Sequence, residues 1–360
     1  VISPQRILAK RAWSSGVPGR IPFWAALCAL GMMGGCRSSD ARDLYASATP
    51  RACVAGETDG TTVTLLGTAG GPIHRRLRSQ PASLLSIDGE HYLVDAGDGV
   101  ARQLTQAGIA IPEVKQIFLT HLHADHVTGL APLFVFAWTS AMAHPMTVYG
   151  PPGTKHLVEA ALSYIETPVN IHRLQYPPVP MPIDLFTGSE PAVSQDGRPS
   201  LIYEDGAVSV YAVENSHYAT MSEVNHSYGA DRSYSYRFDT SDRSVVFSGD
   251  TGPSNSLMRL AEGADILVIE VIDLERQFDV VREMSGLPDD QLTVVMDHMA
   301  EEHITPDQIG LLAAKAAVGQ VILTHVVPGL DSEQDMTAYI NGVRQHYHGP
   351  VHLGFDLGCF

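Results

Sequence analysis

The chain has 360 residues, 23 of them Lys or Arg and 40 Asp or Glu, so its formal charge at neutral pH is −17. A surface of that sign repels large polyanions, and nucleic acid is therefore disfavoured as a partner. Four cysteines are too few for a disulfide framework, and 44% hydrophobic residues are enough for one large core.

At the start of the chain Arg6, Lys10, Arg11 and Arg20 precede an apolar stretch, Ile21 to Met33, that is too short to span a membrane and is followed by small residues. This is the pattern of an export signal over residues 1–36. Met33-Gly34-Gly35-Cys36 is similar to a bacterial lipobox with Met in the usual Leu position, so lipidation of Cys36 stands beside ordinary cleavage. Either outcome puts the mature protein in the periplasm or on a membrane surface outside the cytoplasm, with any membrane contact made through that lipid alone. Residues 37–60 are polar and without periodicity, which reads as a tether. Cys53 and Cys359 either pair in an oxidising compartment or stay as inert thiols.

Residues 61–360 carry no linker and read as one α/β domain. Strands are expected near Thr62, Ala82, Tyr92, Gln116, Thr147, Val208, Tyr234, Ser244, Ile266, Gln320 and Val351. Helices are expected near Val100, Lys155, Ser254, Pro306 and Met336. That alternation supports two packed sheets flanked by helices, a four-layer αββα sandwich. The interval Thr167 to Gly206 is the least regular, with prolines at 168, 177, 178, 180, 182, 191 and 199, and reads as a loop or lid over a site. Its only cations are Arg173 and Arg198, so it does not read as a phosphate-gripping arm.

The densest chemistry lies in Thr120-His121-Leu122-His123-Ala124-Asp125-His126, directly after the apolar run Val114 to Leu119. His121 and His123, two apart where the chain leaves a strand, point to one side, and Asp125 and His126 fall on the turn beyond. Imidazole nitrogen suits zinc and a carboxylate oxygen suits a harder position, so one loop can serve two ions. Three other segments repeat the strand-then-ligand design: Asp250 after Val245–Phe247, His325 after Val321–Leu323, and His217 after Val208–Val213. His226 competes with His217, and His298 competes with His303. Asp95, also at a strand end, either orients a ligand histidine or caps a turn.

These motifs, with Leu66-Gly67-Thr68-Ala69-Gly70-Gly71, Val94-Asp95-Ala96-Gly97-Asp98-Gly99, Tyr149-Gly150-Pro151-Pro152-Gly153 and His303-Ile304-Thr305, resemble the metallo-β-lactamase superfamily. Within it the tRNase Z-like branch is closer than the true β-lactamases. The resemblance implies the αββα metallo-β-lactamase sandwich. It also implies His121, His123 and His217 on one metal, with Asp125, His126 and His325 on the other and Asp250 bridging. His303 is then no ligand but faces the reacting group, and Asp125 and His303 are the catalytic residues.

The expected cofactors are two zinc ions, with manganese or iron accepted by the same ligands. Two such ions lower the pKa of a bridging water and stabilise charge on the attacked and leaving oxygens. The expected reaction is hydrolysis of a small ester by metal-bound hydroxide, a cyclic-nucleotide-like phosphodiester or an aryl sulfate or phosphate ester first. Alternatives are opening of a β-lactam or lactone ring, tRNase Z-like cleavage of RNA 3′ ends, and metal binding without turnover. Substrate choice is expected to rest on Phe134 to Trp138 and the proline-rich interval. The residues leave oligomeric state open, a homodimer included.

Overall fold

The computed structural model describes residues 60–175, 180–221, 224–333 and 335–360. The leader read over residues 1–36, nearly all of the arm and Cys53 lie outside the described residues. Cys359 is disulfide-bonded.

The first half of the domain begins with β1 (Thr61–Gly67), β2 (Ala82–Ile87) and β3 (Glu90–Val94), an antiparallel meander in which Val63 faces Leu85 and Leu84 faces Leu93. After α1 (Val100–Gln106), β4 (Val114–Phe118) joins in parallel. Then come α2 (Ala124–Val127), α3 (Leu130–Thr139), β5 (Met146–Tyr149), α4 (Thr154–His172), α5 (Pro182–Leu185) and β6 (Phe186–Ser189). In the second half, β7 (Ser200–Glu204) and β8 (Ser209–Glu214) form a hairpin. A small hairpin of β9 (Asn225–His226) and β10 (Gly229–Ala230) precedes β11 (Tyr234–Asp239) and β12 (Ser244–Phe247). α6 (Asn255–Leu260), β13 (Ile266–Ile272), α7 (Leu274–Ser285), α8 (Asp289–Glu302), α9 (Pro306–Ala316), β14 (Gln320–Val327), α10 (Thr337–Arg344) and β15 (Val351–Leu353) follow. β16 (Gly358–Cys359) returns to pair with β1. The result is two seven-stranded sheets, ordered β16-β1-β2-β3-β4-β5-β6 and β15-β14-β13-β12-β11-β8-β7.

Successive strand residues point to opposite faces, and here both faces are covered. Phe118, Leu85 and Val268 enter the core between the sheets, where Phe118 packs edge-on against Phe238 at 5.1 Å and Tyr236 at 5.9 Å. Their neighbours Ile117 and Leu84 face α1, α3 and α4, and Leu267 faces α6, α9 and α10. That double burial explains why β13 reads as an uninterrupted apolar run around one glutamate. Helix starts are locally encoded: the Thr305 side chain accepts from Gln308 N–H with Pro306 in the first turn, and Ser254 Oγ accepts from Leu257 N–H at 3.2 Å. Among the described residues no helix is long and apolar enough to cross a membrane.

Two expectations are corrected. The proline-rich interval is no free lid: its described residues continue α4 through Pro168 to His172 and supply α5 and the edge strands β6 and β7. Pro168 falls in the last turns of α4 and Pro182 opens α5, where few helix bonds are lost, and β6 and β7 themselves contain no proline. Of the stretch Phe134 to Trp138 on α3, Phe134 and Trp138 are buried in the core and shape no substrate pocket, while Phe136 is exposed.

Candidate metal centre

The site is assembled where strands of both sheets end. Past β4, Thr120 donates its N–H to the Asp95 carboxylate at 2.8 Å and its hydroxyl to the same carboxylate at 2.9 Å, which locks the loops after β3 and β4 together. Asp95 sits at φ 61°, a left-handed backbone that a non-glycine residue holds only under constraint. Its Oδ2 also accepts from His126 Nδ1–H at 2.8 Å, so the His126 Nε2 lone pair is turned into the site. The orienting role read for Asp95 is thus the one the structure realises.

His217 is set by a similar device. Asn215, just past β8, donates to Ser235 Oγ at 3.2 Å and Ser248 O at 3.0 Å, and its Oδ1 accepts the His217 N–H at 3.1 Å. His217 Nδ1–H donates to the Glu302 carbonyl at 2.9 Å, which frees Nε2. After β12 the chain turns at Gly249, φ 60°, where a Cβ would lie 2.8 Å from Thr120 Cβ; only glycine fits, and Asp250 follows into the centre. His325 arises from a bulge. Glu270 pairs with Thr324 and Val271 with Val326, so His325 is the extra residue, at φ 44°, and is re-aimed out of the β14 ladder.

These devices bring together His121, His123, His217 and Asp250 in one group, and Asp125, His126 and His325 in another. His121 Nε2 and His217 Nε2 lie 3.1 and 3.3 Å from His123 Nδ1. Asp250 Oδ1 lies 3.3 Å from His126 Nε2 and 3.2 Å from His325 Nε2, while Oδ2 of the same carboxylate lies 3.7 Å from His121 Nε2. Asp125 Oδ2 is 3.6 Å from His126 Nε2 and 3.5 Å from His325 Nε2. Ligands about 2.0–2.1 Å from a tetrahedral ion stand roughly 3.3–3.4 Å apart, so these edges fit a cation inside each group. Buried His126 Nε2 and Asp250 Oδ1 have no hydrogen-bond partner among the described residues, a cost of about 1–3 kcal/mol per group unless a cation takes that place.

The electrostatics agree. Burial pushes the imidazoles of His121 and His123 below their ordinary value and that of His217 down to about 3, so all three keep free lone pairs. Burial opposes charge on Asp250, yet the facing His325, His126 and His121 outweigh it and hold this carboxyl well below the usual range. For His126 burial is again the opposing effect, overcome by Asp250 and Asp95, whose carboxylates favour positive charge at this position, a charge that a cation on Nε2 would supply in place of a proton. The buried His and Asp clusters therefore suit a binuclear metal site.

The competing histidines fall elsewhere. His226 is on the β9–β10 hairpin, bonded to Asp231 at 2.9 Å and stacked on Tyr228. His298 is exposed on α8, near Glu302. His303 ends α8 and does not cap α9, since Thr305 takes that position. Its ring stands 5.1 Å from that of His217 and 6.1 Å from that of His325, against both groups. Nδ1–H donates to Glu270 Oε2 at 2.7 Å; burial works against its charge, and the Glu270 carboxylate outweighs this and holds the imidazolium up to about 9.

Sequence reasoning missed Glu270 and Tyr218. Glu270 is buried within β13 and accepts from Thr251 N–H as well as from His303. Its signal was available, as a lone carboxylate in the buried run Ile266-Leu267-Val268-Ile269-Glu270-Val271-Ile272 needs a partner. Tyr218 packs on the rings of His217, His123 and His121 at 4.8, 5.2 and 5.9 Å.

A family model described as a beta-lactamase superfamily domain matches residues 90–326, which span every residue of both clusters. The chain belongs to the metallo-β-lactamase superfamily. It is 30% identical to the Ribonuclease Z of Mycobacterium avium (strain 104) over 299 residues, 82% of this chain and 96% of that protein. It is 29% identical to the Ribonuclease Z of Mycobacterium bovis (strain BCG / Pasteur 1173P2) over 302 residues, with the same shares covered. Among solved structures, the short form of human tRNase Z superposes with a TM-score of 0.57 at 21% identity, covering 83% of this chain and 98% of that one. A diphosphatase from the PhnP family gives 0.54 at 18% identity, covering 83% and 97%. The two-sheet sandwich is thus the metallo-β-lactamase fold, and this member of the superfamily is a metal-dependent hydrolase.

Proposed function

We propose that this metallo-β-lactamase superfamily member hydrolyses phosphodiesters, with RNA as the leading substrate. His121, His123 and His217 would hold one divalent cation, zinc first, and Asp125, His126 and His325 a second, with Asp250 shared between them. Cations held there supply Lewis acidity to phosphoryl oxygens and activate a water molecule. The protein's own part is positional and protic. Thr251 N–H fixes the Glu270 carboxylate, Glu270 takes Nδ1–H of His303, and the remaining nitrogen of His303 carries the proton to the leaving oxygen. Asp95 and the Glu302 carbonyl keep His126 and His217 in the tautomers that ligate.

The observation that carries this reading is the His303–Glu270 pair standing against both ligand groups, the arrangement an ester with a poor leaving group requires. Relatives named Ribonuclease Z support a phosphodiester over a lactam or sulfate, and they move RNA ahead of the small esters favoured by composition. A second reading, a small phosphodiester such as a cyclic nucleotide, is supported by the net charge of −17 and by the pairing of Arg198 with Asp196. A zinc-loaded protein offered a precursor tRNA with a 3′ trailer, a cyclic nucleotide, bis(p-nitrophenyl) phosphate, an aryl sulfate and nitrocefin separates these. Turnover of the sulfate or nitrocefin without any phosphodiester would overturn the reading. We also propose export over residues 1–36 as a separate reading that intact mass of protein from its host tests: a product retaining the leader overturns export and strengthens the case for RNA.

A further inference from the structure

His325 reaches the centre from a bulge in β14, and the outer flank of that bulge is held by a segment that belongs to the other sheet. On one side β14 pairs with β13 along its length, and on the other Val321 to Leu323 pair with β15. Past Leu323 this outer flank passes to residues 68–71, which continue the chain beyond the end of β1 at Gly67. Val326 N–H donates to the Thr68 carbonyl at 3.0 Å, Gly70 N–H donates to the Val326 carbonyl at 3.2 Å, and Ala69 bridges Val326 in parallel. Gly71 N–H comes within 3.3 Å of His325 Nε2. The approach leaves no room for a side chain, since a Cβ on Gly70 would lie 2.4 Å from Val327 Cγ2 and 2.8 Å from the His325 carbonyl oxygen. Residues 68–71 thus form a strap across the backbone that aims His325.

The strap is fastened from the far end of the chain. Asp356 Oδ1 accepts the Thr68 N–H at 3.1 Å and the Thr68 hydroxyl at 2.7 Å, and its Oδ2 accepts Ser79 N–H at 2.6 Å and Gln103 Nε2–H, from α1, at 3.2 Å. With its proton given to Asp356, the Thr68 hydroxyl accepts from Arg78 Nη1 at 2.7 Å, and the same nitrogen donates to the Gly354 carbonyl at 3.0 Å. Thr68 and Arg78 are both buried. Burying a guanidinium is a costly way to hold a loop, and what this network fixes is the direction of one residue, Thr68, whose carbonyl holds Val326. We propose that Thr68, Arg78 and Asp356 are positioning residues for the second cation: they set the strap, and the strap sets where His325 presents Nε2. The proposal rests on the assignment of His325 to that cation. A network that merely stabilised the fold would serve both cations alike, whereas this one bears on the His325 side alone.

Zinc affinity, measured by chelator competition on the full chain, separates positioning from general support. In protein carrying His217→Ala, which leaves the group of Asp125, His126 and His325, Thr68→Val should weaken zinc binding about tenfold or more. In protein carrying His325→Ala, which leaves His121, His123 and His217, the same substitution should leave the affinity unchanged. Thr68→Ser keeps the hydroxyl and should bind as its parent does. Equal weakening in both backgrounds, no weakening in the first, or a Thr68→Ser protein as weak as Thr68→Val overturns the proposal. Hydrogen exchange on metal-free protein judges the strap without any cation: Thr68→Val and Asp356→Asn should each speed exchange across residues 324–327 while residues 266–269 of β13 keep their protection, and unchanged exchange at 324–327 overturns it. A His217→Ala protein that binds no zinc at all would count against the two-cation reading, and the exchange result would still decide the strap.

Discussion

Replacing His303 with Ala tests whether this residue does chemistry or holds the fold. The imidazole gives Nδ1–H to Glu270 at 2.7 Å and lies against both ligand groups, and His303 closes α8 through its backbone N–H to the Met299 carbonyl, a bond that alanine keeps. The variant should therefore keep its metal and its fold. Loss of a positioned proton donor costs about 100- to 10,000-fold in turnover, or roughly 2.7 to 5.4 kcal/mol at about 1.36 kcal/mol per decade. That cost falls on the leaving oxygen, so it should shrink as the leaving group becomes more acidic. A series of aryl phosphodiesters from phenol to p-nitrophenol reads it as a steeper dependence of kcat/KM on leaving-group pKa. Glu270→Gln keeps the shape but removes the charge facing His303, and should show the same trend with a smaller loss. An equal loss across the series, accompanied by a lower melting temperature, would refute proton donation and leave His303 as scaffold.

Three other outcomes follow from the same geometry. His217→Ala should release one equivalent of metal and abolish turnover, whereas His226→Ala should leave metal content near wild type; elemental analysis of both variants would reverse the assignment if the pattern were opposite. Asp95→Asn weakens the bond that turns His126 Nε2 inward and should lower metal affinity about 10- to 100-fold in a chelator competition, with secondary structure unchanged. Phe118→Ala removes a ring packed by Tyr149, Tyr203, Tyr236 and Phe238 between the sheets, and should cost about 3–5 kcal/mol in denaturant titration.

The parts of this protein that were legible in its sequence are those where local pattern and tertiary role coincide. His121, His123, Asp125 and His126 lie within six consecutive residues just past the end of β4, so their shared purpose shows in the spacing. The same holds for Thr305-Pro306 at the start of α9. Glu270 was hidden because burial on both faces makes β13 a continuous apolar run in which one carboxylate reads as an exception, and its partner His303 is 33 residues away. The bulge that aims His325 depends on how β13 and β14 register, which no single strand encodes. The interval from Thr167 to Gly206 misled because Pro168 falls in the last turns of α4, Pro182 opens α5, and Pro191 and Pro199 lie in the connection between β6 and β7, so regular elements fit around them. His217 and His226 look alike along the chain, and they are separated only by Asn215 and the Glu302 carbonyl, contacts that form across the fold.

Metal stoichiometry is the decisive quantity for the two-cation site. The protein should be stripped with chelator, reconstituted with zinc, freed of excess by gel filtration and measured by inductively coupled plasma mass spectrometry against quantitative amino-acid analysis. Two ions per chain are expected, falling to one in His217→Ala, and manganese or iron in place of zinc would change the metal while leaving the site intact. A value that stays at one or below after reconstitution would contradict the binuclear centre, and with it the pairing of the two buried groups through Asp250.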